Sequence, residues 1–176
     1  MCNKFDNIMN DGLLLRTGDD EFIAYYLSPY LNYIVESGKY DVKDEDLSGK
    51  VFLFQIACPN SIQVLETAMN QNLRDLPFFK HRRIQINTPQ ASQSKIDLRI
   101  LRAGVAGTLA YVVHGNIEDA HHVYNLLMKA GETFGIERLG LKVYGTNHTE
   151  NGFYQMFIHF IPAWPQDKDF HVLSWR

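Results

Sequence analysis

The sequence predicts an α+β fold: an antiparallel-rich mixed sheet with helices packed on one side, arranged like a ferredoxin-like half. Three observations carry this. A short apolar run, Val51–Ala57, stops just before Pro59. Two further segments of strand character, around Arg82–Ile86 and Ile96–Arg102, lead through a glycine-marked turn into a third, Thr108–His114. A long amphipathic stretch, Glu118–Phe134, then ends at Gly135. From residue 51 to about residue 150 the order is strand, helix, strand, strand, strand, helix and a last ambiguous element.

The chain opens with a predicted hairpin. Gly12–Leu15 and Glu21–Leu27 flank the turn signal Thr17-Gly18-Asp19-Asp20. Ser28-Pro29 follows as an N-cap with proline at the first helical position. Leu31, Ile34 and Val35 supply an apolar stripe, and Gly38 suits the helix end. Val51–Ala57 is almost wholly apolar, which predicts a strand buried on both faces. Asn60 with Gln63 three residues on has the pattern of a capping box, and Ile62, Leu65 and Met69 recur on one helical face.

In the next strands, Ile96, Leu98 and Ile100 alternate with Asp97, Arg99 and Leu101, so one face is expected inside. Thr88–Ser94 is polar and reads as a loop, and Ala103–Gly107 as a tight turn between strands. In the long helix, Asn116 is the expected cap, and Glu118 and Asp119 sit at the positive end of the dipole. Ala120, Val123, Tyr124, Leu127 and Ala130 form its apolar face. Three segments result: residues 1–45, a hairpin and helix; residues 46–152, the main α+β unit; and residues 153–176, a C-terminal extension.

Bulk properties narrow the function. A net charge of −3 gives no electrostatic case for nucleic acid or for an anionic membrane surface. Cys2 and Cys58 are too few and too far apart for a disulfide framework or a zinc knuckle. No basic run followed by an apolar core opens the chain, and no apolar run approaches the ~18 residues of a membrane span. The expected location is therefore cytoplasmic, where Asn147-His148-Thr149 has no meaning as a glycosylation site.

Seven histidines raise the question of a metal, yet none shows the i, i+4 spacing of a helical zinc pair, and His121-His122 point in different directions. They read as solvent-facing helix residues. Cys58, next to Pro59 at the end of a buried-looking strand, reads as inert packing, and Ser61 as part of a helix start. Gly104 and Gly107 join two strands and do not open a helix, so they make a turn, not a phosphate cradle. The unusual cluster is Tyr144–Phe153, YGTNHTENGF. If helical, it sets Tyr144 beside His148 and Thr146 beside Glu150. Such a mix can line a pocket for a flat heteroaromatic ligand, or simply form a capped, solvated helix end.

This cluster and what precedes it resemble the tetrahydrofolate-dependent aminomethyltransferase family, which includes the glycine cleavage T protein and the bacterial vanillate and syringate O-demethylases. Leu101–Tyr111, LRAGVAGTLAY, resembles the family's Arg-x-Gly-x-x-Gly strand turn. The O-demethylase branch is echoed in Gly107–Tyr111, His114-Gly115, Phe134–Gly140, Tyr144, Asn147-His148, Glu150 and Gly152-Phe153. Asp41-Val42 through Pro59 and the hairpin after Met9 extend the likeness upstream. The resemblance implies the second half of a folate-binding core, with the family's first half missing and a homodimer or a partner chain as one way to supply it.

It also implies tetrahydrofolate as cofactor and a methoxylated aromatic acid as small-molecule substrate. Tyr144 then takes the catalytic place, orienting or protonating the phenolic oxygen. Phe153, Gln55, Tyr111 and Val112 fall at the cofactor, with no metal. Three departures stand out. Val112 occupies the place of a glutamate that grips the pterin edge, which removes about 1.5–3 kcal/mol of charged hydrogen bonding unless water substitutes. Asn10-Asp11 replaces paired aspartates, and Cys58 replaces the glycine of a Gly-Pro pair. The competing expectation is a non-catalytic remnant or accessory subunit.

Overall fold

The structure is a computed structural model that describes residues 1–28, 30–87, 95–104 and 107–163. These fall into two compact units: Met1–Asp46 with the segment from Tyr154 onward, and Leu47–Phe153. In the first, β1 (Leu13–Arg16) and β2 (Phe22–Tyr25) pair antiparallel, with Leu15 opposite Ile23. The helix α1 (Tyr30–Glu36) follows; Leu31, Ile34 and Val35 are half-buried along it, and Pro29 lies outside the described residues. The Ser28 hydroxyl donates to Asn32 Oδ1 at 2.8 Å.

Asn10 is fully buried in this unit, and its Nδ2 donates to the carbonyls of Tyr26 at 3.0 Å and Ser28 at 2.9 Å. A carboxylate there could not donate to either carbonyl. The amide therefore holds the corner where β2 leaves for α1, at Tyr26, whose φ is +62°. That gives the Asn10 departure a structural reason. The C-terminal segment belongs to the same unit through the Ala163 amide, which donates to Ile8 O at 2.8 Å.

The second unit is a four-stranded antiparallel sheet in the order β3-β6-β5-β4, made of β3 (Val51–Ala57), β4 (His81–Asn87), β5 (Lys95–Arg102) and β6 (Ala110–Asn116). Two helices, α2 (Ser61–Met69) and α3 (Ala120–Gly131), cover one face. Between them and the sheet lie Phe52, Ile56, Ile62, Leu65, Ile84, Ile86, Ile96, Leu98, Ile100, Tyr111, Val113, Val123 and Leu127, the main hydrophobic core. Gly115 lets the sheet close here: a Cβ would sit 2.8 Å from both Leu98 Cδ2 and Phe52 Cε1. The predicted α+β architecture is thus the observed one.

Four local expectations need correcting. β3 is not buried on both faces. It is the sheet's edge strand, and Leu53 on its far face is 42% exposed. Apolar side chains alone do not reveal whether a strand is central, and here Phe52 and Ile56 alternate inward while Leu53 and Gln55 face out. Leu101, expected on the open side of β5, is 3% exposed, because it lies between Val112 and His81 on that second face. Asn60 makes no capping bond. Ser61 secures the start of α2 instead, its hydroxyl donating to Leu109 O at 3.3 Å. Finally, Asn116 takes an extended cap conformation without a side-chain bond, and a single 3-10 turn, residues 117–119, leads into α3.

Candidate functional site

The ambiguous last element is the helix α4 (Leu141–Glu150), which begins after Gly140, with the Tyr144 amide donating to Gly140 O at 3.0 Å. Its register stacks the aromatic cluster. The Tyr144 and His148 rings lie 4.3 Å apart at 58°. Phe153 turns back so that its amide donates to His148 O at 3.0 Å, and its ring meets the imidazole edge-on at 5.6 Å. His148 is 2% exposed, whereas Phe153 is 40% exposed and Tyr144 half-buried. The imidazole is thus a spacer that fixes two aromatic rings, and one of them still presents open area. Aromatic pairs in such tilted and edge-on arrangements add about 0.5–1.5 kcal/mol beyond their burial.

The threonine hydroxyls of this helix are committed to its own backbone. Thr146 Oγ1 donates to Lys142 O at 3.0 Å and Thr149 Oγ1 to Gly145 O at 2.9 Å. Such back-bonding satisfies the hydroxyl on its own helix. Asn151 ends the helix with its amide nitrogen on Asn147 O at 2.8 Å. Its Oδ1 lies 2.8 Å from where a Cβ of Gly107 would stand, and Gly107 has φ +71°. Only glycine suits that point of the β5–β6 turn, on steric and conformational grounds together. The contact ties the cluster-bearing helix to the end of the sheet.

The sheet face turned away from α2 and α3 carries the other predicted residues. Gln55 stands opposite Val112, Val112 opposite Leu101, and Leu101 opposite His81, one row across all four strands. Gln55 is exposed and Val112 half-buried. Tyr111 points the other way, into the core at 2% exposure, where burial pushes its hydroxyl above the ordinary phenol range and Arg102 offsets part of the rise. Successive strand residues face opposite sides, so Tyr111 and Val112 cannot touch one ligand. The structure therefore brings Gln55 and Val112 together, and Tyr144 and Phe153 together, and turns Tyr111 to the sheet face opposite Val112.

One group on this face entered the expectations only as part of the family-like His114-Gly115 pair and not as a site residue. His114, two residues after Val112 and 8% exposed, stands opposite Arg99 and Leu53. Burial, and secondarily the Arg99 charge, lower its pKa. Arg99 Nη1 lies 2.9 Å from His81 Nδ1. The two-residue spacing from Val112 was the signal that could have found it. Cys58 is exposed with φ +114°, and so is not the buried packing thiol expected. Among the described residues no group of three His, Cys, Asp or Glu side chains could hold a metal ion, and no helix is long and apolar enough to cross a membrane.

Comparison with known proteins places this geometry in a family. Residues 1–158 match the GCVT N-terminal domain. The sesamin methylene transferase of Sinomonas sp. is 39% identical over 96% of this chain and 36% of its own. The syringate O-demethylase of Sphingobium sp. is 27% identical over 82% of this chain and 32% of its own. An aminomethyltransferase of Halothermothrix orenii is 25% identical over 87% of this chain and 42% of its own. The chain thus spans about a third of the length of these relatives. The heterotetrameric sarcosine oxidase of Corynebacterium sp. U-96, solved with pyrrole 2-carboxylate, shares the fold with a TM-score of 0.55 at 20% identity, over 76% of this chain and 66% of that one. The match over residues 1–158, with relatives that carry both aminomethyltransferase and O-demethylase names, means that the chain belongs to the GCVT N-terminal domain family of aminomethyltransferase-like proteins.

Proposed function

We propose that this chain forms part of a tetrahydrofolate site, and that the reaction it serves moves a methyl or other one-carbon group from an oxygen of an aromatic compound, such as a methoxylated aromatic acid, to that folate. The observation that carries the reading is the Tyr144–His148–Phe153 cluster, which holds a phenol and a partly open aromatic face together on α4. Its support from relatives is that their names describe methylene transfer from sesamin and demethylation of syringate.

The residues present fit the cofactor's chemistry. A pterin is flat and carries N–H and C=O groups along one edge, and Gln55 offers both an acceptor and a donor from an exposed position beside Val112. Phe153 supplies an aromatic surface for the ring system. Tetrahydrofolate, when bound, supplies the nitrogen that accepts the carbon. Tyr144 orients the ether oxygen and gives it a proton as the carbon departs, so that the aromatic product leaves as a phenol. Tyr111 serves from the other side of β6, packing the strand that presents Val112.

Titration calorimetry with tetrahydrofolate tests this directly: saturable heat below millimolar ligand is the expected result, and no heat up to millimolar ligand sinks the reading. Phe153→Ala weakens that affinity about three- to tenfold, the worth of one aromatic contact. Val112 favours a second reading, an accessory chain without chemistry of its own, since valine cannot accept from the pterin edge. Under it, purified chain with tetrahydrofolate leaves vanillate and syringate untouched until a second polypeptide is added. Turnover by the chain alone rejects it.

A further inference from the structure

We propose a second binding site, for a single-ring aromatic carboxylate, in the cleft at the turn end of the four-stranded sheet. The cleft has a volume of about 270 Å³ and is lined by Phe78, Arg102, Gly104, Thr108, Leu109 and Ala110. Ligand pockets generally start near 300 Å³, so this one suits a single ring and excludes a ligand the size of folate.

Arg102 supplies the reason for a negative charge. It is half-buried, and its Nη1 donates to Leu76 O at 2.9 Å, a neutral carbonyl. Its Nε is a buried atom, and among the described residues neither a hydrogen-bond partner for it nor a carboxylate paired with the guanidinium is found. The nearby Glu66 is already engaged by Arg74 at 3.0 Å and by the Leu73 amide at 3.2 Å. A half-buried guanidinium with no counter-ion among the described residues is a site of positive potential that attracts a carboxylate.

The rest of the wall selects an apolar body. Phe78 is 55% exposed and meets the Phe79 ring at 4.3 Å and 62°, an open aromatic platform. It is held to the arginine's strand: the Phe79 amide donates to Arg102 O at 2.8 Å, and the Arg102 amide to Lys80 O at 3.0 Å. Platform and cation therefore form one preorganised unit, with Leu109 and Ala110 closing the floor. This inference does not rest on the folate reading, because none of the residues assigned to the cofactor lines the cleft.

The test is amide NMR of the intact chain titrated with benzoate, with benzamide as its neutral counterpart and acetate as the anion without a ring. Benzoate shifts the amides of Gly104 and Thr108–Ala110 saturably, and benzamide and acetate bind at least tenfold more weakly. Arg102→Gln lowers benzoate affinity at least tenfold. Phe78→Ala, at an exposed position that leaves the fold intact, lowers it several-fold and decides the matter if the arginine variant fails to fold. Equal response to benzamide or acetate, shifts mapping elsewhere, or unchanged affinity in Phe78→Ala overturns the proposal. Phe153→Ala and Gln55→Leu leave benzoate binding unchanged, so failure here and failure of the folate reading are told apart.

Discussion

The two faces of the four-stranded sheet are built from the same strands and obey different rules. Toward α2 and α3, the middle of the two central strands is apolar and closed off: Ile100 and Val113 have no exposure and Tyr111 has 2%. On the other face, the intervening residues are a mixture, with Gln55 and Leu53 open, Val112 half-buried, and His114 and Leu101 buried. The first face makes the fold. The second is where chemistry can be placed without disturbing it, because its residues answer to packing only in part. β6 shows the division within two positions, Tyr111 serving the first face and Val112 the second.

That division can be broken from either side. Ile100→Ala opens a cavity between sheet and helices and should cost about 2–5 kcal/mol in urea unfolding. Val112→Glu, on the opposite face, should leave the unfolding midpoint nearly unmoved while tightening tetrahydrofolate binding by about 1.5–3 kcal/mol in calorimetry, the worth of a charged hydrogen bond. If the glutamate variant unfolds as readily as the Ile100 variant, the second face is core and the comparison fails.

His114 gives the smallest effect and the sharpest test of its own burial. Its folded pKa is depressed, so the native state holds the neutral ring while the unfolded chain binds a proton as pH falls below about 6.5. Stability is therefore full above that value and declines as pH falls from it toward the lower folded pKa. His114→Gln should flatten this part of the curve, measured as urea midpoint against pH, with the imidazole titration followed by NMR. A variant with the same slope as the parent would assign it to other groups.

Much of the fold was legible because turns and periods are local. Glycines marked the β1–β2 and β5–β6 turns, the Ile96-Leu98-Ile100 alternation fixed the inner face of β5, and Val123 and Leu127 lie where the 3.6-residue period put them. What failed was tertiary. Nothing in VFLFQIA says that β3 lies at a sheet edge, and nothing local told Leu101 that a row of side chains would cover it. Asn60 has the residue type of a cap, yet the Leu109 carbonyl, 48 residues beyond Ser61, took over the helix start. The Thr88–Ser94 loop falls outside the described residues, as do Val105 and Ala106 within the Ala103–Gly107 turn.

The candidate site was half legible for the same reason. Tyr144 and His148 followed from helical spacing alone, whereas Phe153, named from the resemblance, joins them through a backbone turn that no periodicity predicts. Tyr111 and Val112 are adjacent in sequence, and only the pleat separates their environments. The two-residue spacing puts His114 on the face of Val112, but nothing in the sequence shows that Arg99 stands across from it.

The alternation along β6 has a genetic consequence. Losing one residue from the turn before Ala110 would carry Tyr111 to the far face and Val112 into the core, exchanging every assignment on the strand at once. Substitutions can therefore sample the two faces independently, while a single-codon deletion there strikes stability and ligand recognition together. Lineages that vary this site should show abundant replacements at position 112 and a turn of fixed length.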